Sequence, residues 1–233
     1  MVKKLSIIVP VYNEEKTLSQ IIVKLQDLKI KDIKKEIIIV NDASTDKSKE
    51  IIKLLIKEYK NINYIEHKKN LGKGSALRAG FKKASGDYIV IQDGDLEYDP
   101  EDFKNLIVPL QKNKADVVYG SRMLGKITGF QIKSHYYGNK FLSFLTMILY
   151  GQKITDMETC YKMMSQKVIK SLNLNANKFD IEPEITAKIL KKGYKLLEIP
   201  ITYNSRSFVE GKKITWKDGL KALYVLCKYR IFD

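Results

Sequence analysis

The strongest constraint on this chain is an alternation that runs through its first half. Short apolar runs rich in β-branched residues each lead into a loop of carboxylates, amides or glycines, and then into apolar residues at helical spacing. Residues 5–12 form the first run, followed by Asn13-Glu14-Glu15 and by Leu18, Ile21, Ile22 and Leu25. Residues 37–40 form the second, ending at Asn41-Asp42-Ala43-Ser44-Thr45-Asp46, where Ser44 or Thr45 is expected to cap a helix carrying Ile51, Ile52, Leu55 and Ile56. Residues 63–66, the loop 70–76 and the helical stretch 77–84 repeat the order, and 88–91 runs into Gln92-Asp93-Gly94-Asp95. This order predicts an α/β fold with a Rossmann-like, mostly parallel sheet and helices on both faces. Ligands then gather at the carboxyl ends of the strands.

The second half is less regular. Pro100 opens a helix to about residue 112, and Val117-Val118-Tyr119 reads as a strand leading into Gly120-Ser121-Arg122. Residues 125–138 are polar and basic, 141–150 are apolar, and Thr155 to Met164 (TDMETCYKMM) is mixed. A helix is expected from Ile181 to Lys192 and a last strand over 196–203. The polar, basic loop 204–213 is expected to act as a lid that orders when its ligands bind. The closing stretch, 216–232, sets Leu220, Leu223, Tyr224 and Cys227 on one side and Lys217, Lys221, Lys228 and Arg230 on another.

With 233 residues and no break in composition, the chain reads as one domain. Its two cysteines, Cys160 and Cys227, match no metal spacing, which fits a reducing, cytosolic compartment. The net charge of +15 asks for an anionic partner: nucleic acid, lipid headgroups or a phosphorylated substrate. The lysines are scattered, with no recognisable RNA or DNA module, so nucleic acid is not the expected partner. Neither a signal peptide nor a membrane span is expected, since the longest lipophilic stretch is about ten residues, against the roughly 18 needed, and contains Ser143 and Thr146. That stretch is either a core helix or one lying in a membrane interface; the closing stretch either packs on the domain or rests on anionic lipid, or does both.

Asp93 and Asp95 are one residue apart at a strand end. Such a pair supplies hard oxygen ligands to Mg2+ or Mn2+ when phosphates complete the shell, although acidic turn residues are common for purely structural reasons. Four loops together are far more specific than this pair. VPVYNEE at 9–15, NDASTD at 41–46, NLGKGSALRAGF at 70–81 and QDGDLEYDP at 92–100 closely resemble, in order and spacing, the nucleotide-sugar half of family 2 glycosyltransferases. That resemblance implies the GT-A fold as a single domain over 1–233. It divides the chain into a nucleotide-sugar half (1–125), an acceptor half (126–213) and a terminal amphipathic helix (214–233).

By position, the resemblance implies that Pro10, Tyr12 and Glu14 line the nucleotide pocket, that Asp42 accepts a hydrogen bond from the base, and that Lys73 lies near the phosphates. Asp93 closes the floor of the site, and Asp95 is the main protein ligand of Mg2+ or Mn2+. In the second half, Ser121-Arg122, Lys133, Asn139 and the Arg206/Lys212 pair look like the dolichol-phosphate mannose synthase branch and its polyprenyl-phosphate relatives. The implied roles are Arg122 and Lys133 on the lipid phosphate, and Arg206 and Lys212 on the donor diphosphate. Lys133 stands where Arg is usual, Glu97 where Gln is common, and TDMETCYKMM departs from the branch's usual sequence.

The resemblance therefore implies a metal-dependent, inverting hexosyltransferase, peripheral on the cytosolic face of a membrane, with room for a membrane partner subunit. Mannose from GDP-mannose is the first donor expected and glucose from UDP-glucose the second. A polyprenyl phosphate is already anionic and needs alignment rather than a base. The alternative is a sugar-hydroxyl acceptor in glycan assembly, which needs a carboxylate base, with Asp156, Glu182 and Glu184 as candidates. A nucleotide-sugar-binding protein without catalysis is the non-enzyme reading, and the intact Asp93, Asp95 and Arg206 speak against it. The Gln-x-x-Arg-Trp motif of processive synthases does not occur.

Overall fold

The computed structural model describes residues 2–129, 133–205 and 216–232 in backbone terms; the side chains of 133–135 and 216 are outside that description. The strands are β1 (Lys3–Val11), β2 (Ile33–Asn41), β3 (Ile62–Glu66), β4 (Tyr88–Ile91), β5 (Val117–Gly129), β6 (Lys162–Ser165) and β7 (Leu196–Ser205). The helices are α1 (Leu18–Asp27), α2 (Ser48–Glu58), α3 (Lys73–Lys83), α4 (Phe103–Gln111), α5 (Lys133–Tyr150), α6 (Gln166–Ser171), α7 (Ile181–Lys191) and α8 (Trp216–Ile231), with a 3-10 turn at Pro100–Asp102 ahead of α4.

One sheet runs in the order β3-β2-β1-β4-β6-β5-β7. β1 lies parallel to both β2 and β4, β2 to β3, and β5 to β7, so the expected mostly parallel sheet is present. Leu5 through Val9, Ile37 through Asn41 and Tyr88 through Ile91 are buried without alternation. Both faces of the central strands are therefore covered, as crossover connections require. The first four strands match their expected positions closely because each is a short local run dominated by apolar residues.

Two expectations are corrected here. Thr155 to Met164 conceals β6, which runs antiparallel to both β4 and β5. Its first residue is the fully buried Lys162, a charge that interrupts the apolar run. Ser44 and Thr45 do not cap α2, which begins later, at Ser48, with Asp46 Oδ1 accepting from the Ser48 N–H at 2.9 Å. Ser44 Oγ instead accepts from Asn13 N–H at 3.0 Å, and Asn13 Oδ1 accepts from Thr45 N–H at 2.8 Å, which ties the loops after β1 and β2 together.

A second, smaller core lies where α5, α7 and α8 meet, built from Leu142, Met157, Ala187, Ala222, Val225, Leu226 and Tyr229. It turns the expected face of α8 in part. The packed residues are Ala222, Val225, Leu226 and Tyr229, with Leu223 against them and Cys227 half-buried, while Leu220 and Tyr224 point out, 58% and 63% exposed. α5 is inverted in the same sense: the polar Asn139, Ser143 and Thr146 are buried, and Tyr137, Phe141, Phe144 and Ile148 are exposed.

Candidate active site

The loops that follow β1, β2 and β4 meet at one rim. Gln92 N–H donates to Ile8 O at 2.9 Å, and Thr17 Oγ1 donates to Gly94 O at 2.9 Å, which sets Asp93-Gly94-Asp95 beside the β1 loop. Gly94 eases this approach: a Cβ there would lie 3.3 Å from Glu14 Cγ, a tight contact, and 3.4 Å from Pro10 O. Pro10, Tyr12 and Glu14 are thus half-buried on the same rim as the two aspartates.

Asp42, directly after β2, is buried and holds the next loop in place. Its Oδ1 accepts from Leu71 N–H at 2.9 Å and contacts His67 Nδ1 at 2.7 Å, while Oδ2 accepts from Gly72 N–H at 2.7 Å. The glycines of residues 70–76 have a reason the sequence does not disclose. Gly72 has φ +95°, and a Cβ on Gly72 or Gly74 would fall 2.5 or 2.6 Å from a backbone oxygen of Asn177 or Ala176. They let residues 176–178 close over the start of α3, where Ser75 N–H donates to Asn177 O at 3.0 Å.

Lys73 projects from that start. Its Nζ lies 2.8 Å from Asp93 Oδ1 and 3.2 Å from Glu182 Oε1, the latter outside hydrogen-bonding geometry. Burial opposes its charge, but Asp93, Cys160 and Glu182 outweigh it and hold the ammonium well above its usual range. Glu182 Oε2 in turn takes Lys162 Nζ at 2.6 Å, beneath the Tyr119 ring. Lys162, Glu182, Lys73 and Asp93 therefore form one row of alternating charge.

Asp95 is buried, with Oδ1 accepting from Glu97 N–H at 3.0 Å. Among the described residues no three His, Cys, Asp or Glu side chains are gathered as an ion site. Asp93 and Asp95 nevertheless fit a hard divalent cation by the chemistry of their donors, carboxylate oxygens only, provided that phosphate oxygens supply the rest of the shell.

The reversed direction of β6 brings the second cluster to the same rim. Arg122, on β5, forms a two-pronged pair with Asp156: Nε to Oδ2 at 2.8 Å and Nη2 to Oδ1 at 2.7 Å. Asp156 also accepts from Arg122 N–H at 2.8 Å and from Asn139 Nδ2 at 2.7 Å. Burial would raise its pKa, but Arg122 and Asn139 prevail and hold it below the usual carboxylate value. Tyr203 joins the clusters, its ring 5.1 Å from the Arg122 guanidinium carbon and its hydroxyl donating to Glu97 Oε2 at 2.9 Å.

These contacts bear on the candidate bases. Asp156 is fully buried with four donors on it, Glu182 faces two lysines, and Glu184 accepts from Asn175 and Ala176 N–H groups, from Tyr229 and from Lys188. Lys133 begins α5 but its side chain is outside the described residues, as are Arg206, Lys212 and most of the loop expected to act as a lid. Tyr203 and Lys162 are site residues that sequence reasoning missed. Lys162 is a charge inside a run with no clear period, and Tyr203 looks like any strand aromatic.

The family model described as glycosyl transferase family 2 matches residues 6–172. The chain is 32% identical over 98% of its length to a dolichyl-phosphate beta-glucosyltransferase of Trichomonas vaginalis, and covers 73% of that protein. It is 31% identical over 97% of its length to a dolichol-phosphate mannosyltransferase of Pyrococcus furiosus, and covers 64% of it. Among solved structures, glucosyl-3-phosphoglycerate synthase from Mycobacterium tuberculosis in complex with UDP superposes with a TM-score of 0.76 at 16% identity, over 99% of this chain and 81% of that one. The same synthase has been solved with Mn2+, UDP and glucosyl-3-phosphoglycerate. At this identity the structural likeness speaks for the fold.

Proposed function

This chain belongs to glycosyl transferase family 2 and has the GT-A fold, and from that premise we propose that it moves a hexose, with inversion, from a nucleoside diphosphate to a polyprenyl phosphate of the dolichyl type. Mannose from GDP-mannose is the first donor and glucose from UDP-glucose the second; the two relatives are named for glucosyl and mannosyl transfer respectively. The observation that carries the reading is Arg122. The acceptor side of the rim presents a guanidinium whose carboxylate partner is buried and hydrogen-bonded four times, so it offers a cation and not a base.

Residues 1–125 serve the donor in this reading. Pro10, Tyr12 and Glu14 border the nucleotide, and Asp42, with three of roughly four acceptor positions used by His67, Leu71 and Gly72 of the loop after β3, keeps one for the base. Lys73 turns from Asp93 to the diphosphate, and Arg206 and Lys212 close on it. Asp93 and Asp95 would hold Mg2+ or Mn2+. Bound there, the cation would neutralise the charge that builds on the leaving diphosphate. Residues 126–213 serve the acceptor: Arg122 and Lys133 hold its phosphate in line with the anomeric carbon, and no proton has to be removed.

Residues 214–233 and the outer face of α5 rest on the membrane surface in this reading, on its cytosolic side. Tyr137, Phe141, Phe144 and Ile148 on α5 and Leu220, Tyr224 and Ile231 on α8 form outward apolar stripes, with Lys140, Lys217, Lys221, Lys228 and Arg230 exposed among them. Aromatic rings and cations of this kind favour an anionic headgroup layer. No helix among the described residues is long and apolar enough to cross a membrane.

The test is transfer from radiolabelled GDP-mannose, UDP-glucose and other nucleotide sugars to a polyprenyl phosphate in detergent, with Mn2+ or EDTA, and Asp95→Ala as control. An acid-labile, metal-dependent lipid product from one donor supports the reading. Donor hydrolysis that needs Asp95, without any lipid product, moves the acceptor to hydroxyl groups.

A further inference from the structure

Glu158 sits between the two clusters, and neither uses it. Its backbone N–H donates to Asn139 Oδ1 at 3.2 Å, the same asparagine whose Nδ2 holds Asp156. Its side-chain Oε1 is buried and, among the described residues, has no hydrogen-bond partner. The acids around it are all engaged: Asp156 by Arg122 and Asn139, Glu182 by Lys162 and Lys73, Glu198 by the Thr155 and Asp156 N–H groups. A buried carboxylate oxygen left without a donor costs stability as an anion and much less as a neutral acid.

We propose that Glu158 is a further acceptor-binding residue: as a neutral carboxylic acid it donates a hydrogen bond to the phosphate held by Arg122, and as an anion it repels that phosphate. The proposal rests on the polyprenyl-phosphate reading above and adds a specificity element to it. A protonated carboxyl adds one O–H donor to the Arg122 guanidinium, and it accommodates a singly protonated phosphate monoester as readily as its dianion. The groups acting on Glu158 are Lys162 of β6, Glu182 of α7, Arg122 of β5 and Asp156 of its own loop. Burial pushes its carboxyl up to about 7; Lys162 and Arg122 oppose this, and Glu182 and Asp156 add to it. The proton is therefore exchanged in the neutral range, where the acceptor phosphate itself titrates, about pH 6.

The experiment is calorimetric titration of the protein with farnesyl phosphate, a short polyprenyl phosphate, at pH 6 and pH 8, for wild type and Glu158→Gln. The phosphate's own ionisation affects both proteins alike, and the glutamine amide donates at either pH. The competent, neutral fraction of Glu158 falls from about nine tenths to about one tenth across this interval. The ratio of Kd at pH 8 to Kd at pH 6 is then expected to be larger for wild type than for Glu158→Gln by about tenfold. Equal ratios in two proteins of equal thermal stability would overturn the proposal. If neither protein binds farnesyl phosphate while both still bind GDP or UDP, the acceptor reading itself falls and this inference with it. If Glu158→Gln binds farnesyl phosphate as wild type does but loses turnover of a hydroxyl acceptor, Glu158 is a base and the proposal is overturned.

Discussion

Lys73 and Asp93 hold each other across the rim between α3 and β4, Nζ lying 2.8 Å from Oδ1 and 3.1 Å from Oδ2. Each is the residue assigned to a different part of the donor, the diphosphate for Lys73 and the cation for Asp93. A lysine that occupies the carboxylate competes with any ion that would bind there.

Lys73→Met is therefore expected to bind Mn2+ more tightly than wild type when no nucleotide is present, while transfer falls by at least about tenfold because the diphosphate loses its cation. Calorimetric titration with Mn2+ and the radiolabel assay read the two effects separately. Unchanged Mn2+ affinity would show that the pair does not guard the site.

Asp95→Ala is expected to lower metal-dependent transfer by about 100-fold or more, the scale on which removal of transition-state charge stabilisation acts. Excess EDTA should take wild type to the same level. A variant that retains turnover and its response to EDTA would move the ion elsewhere.

The Arg122–Asp156 pair bears on stability as well as function. Asp156→Asn leaves a largely buried guanidinium without its countercharge and is expected to cost about 3 kcal/mol, read by urea unfolding. Because the folded pKa of Asp156 lies below its unfolded value, its contribution is complete above the usual carboxylate range, about pH 4, and is lost as pH falls through the lower folded value. Wild type should lose its advantage over Asp156→Asn in strong acid. If Asp156 acted only as a catalytic base, the variant would be inactive yet equally stable.

Phe141→Ser and Tyr224→Ser together are expected to reduce sedimentation with vesicles containing phosphatidylserine by about tenfold or more, since each removes on the order of 1.5–3 kcal/mol of burial in lipid. Both side chains are more than half exposed, 57% and 63%, so the unfolding midpoint should hardly move. Vesicle binding that survives both changes would place the contact surface elsewhere.

What the sequence discloses and what it hides divide along physical lines. β1, β2 and β4 are continuous apolar runs whose partners are set by local connections, so the strands and the acids at their ends, Asp42, Asp93 and Asp95, are legible. β6 is not, because Lys162 breaks the pattern and is satisfied by Glu182, twenty residues on, and by backbone carbonyl groups. The inside of α5 is hidden for the opposite reason. Ser143 and Thr146 read as the wet side of a helix, but Ser143 Oγ accepts from Met157 N–H and Thr146 Oγ1 donates to Leu142 O, so both are satisfied indoors. Asp156 looks like a free acid until its four donors, from β5 and α5, are brought to it by the fold.

The reversal of β6 has a consequence for how such chains diversify. Entering between β4 and β5 from the opposite direction, it suspends residues 155–161 from the rim beside Asp93 and Arg122 without taking part in the registers of β1 with β2 and β4. Yet the stretch is bound to both halves of the rim: Asp156 holds Arg122, while Tyr161 is fully buried and donates to Gln92 Oε1 at 2.7 Å. Variation there has to satisfy both sides at once, which narrows the changes such chains can accept.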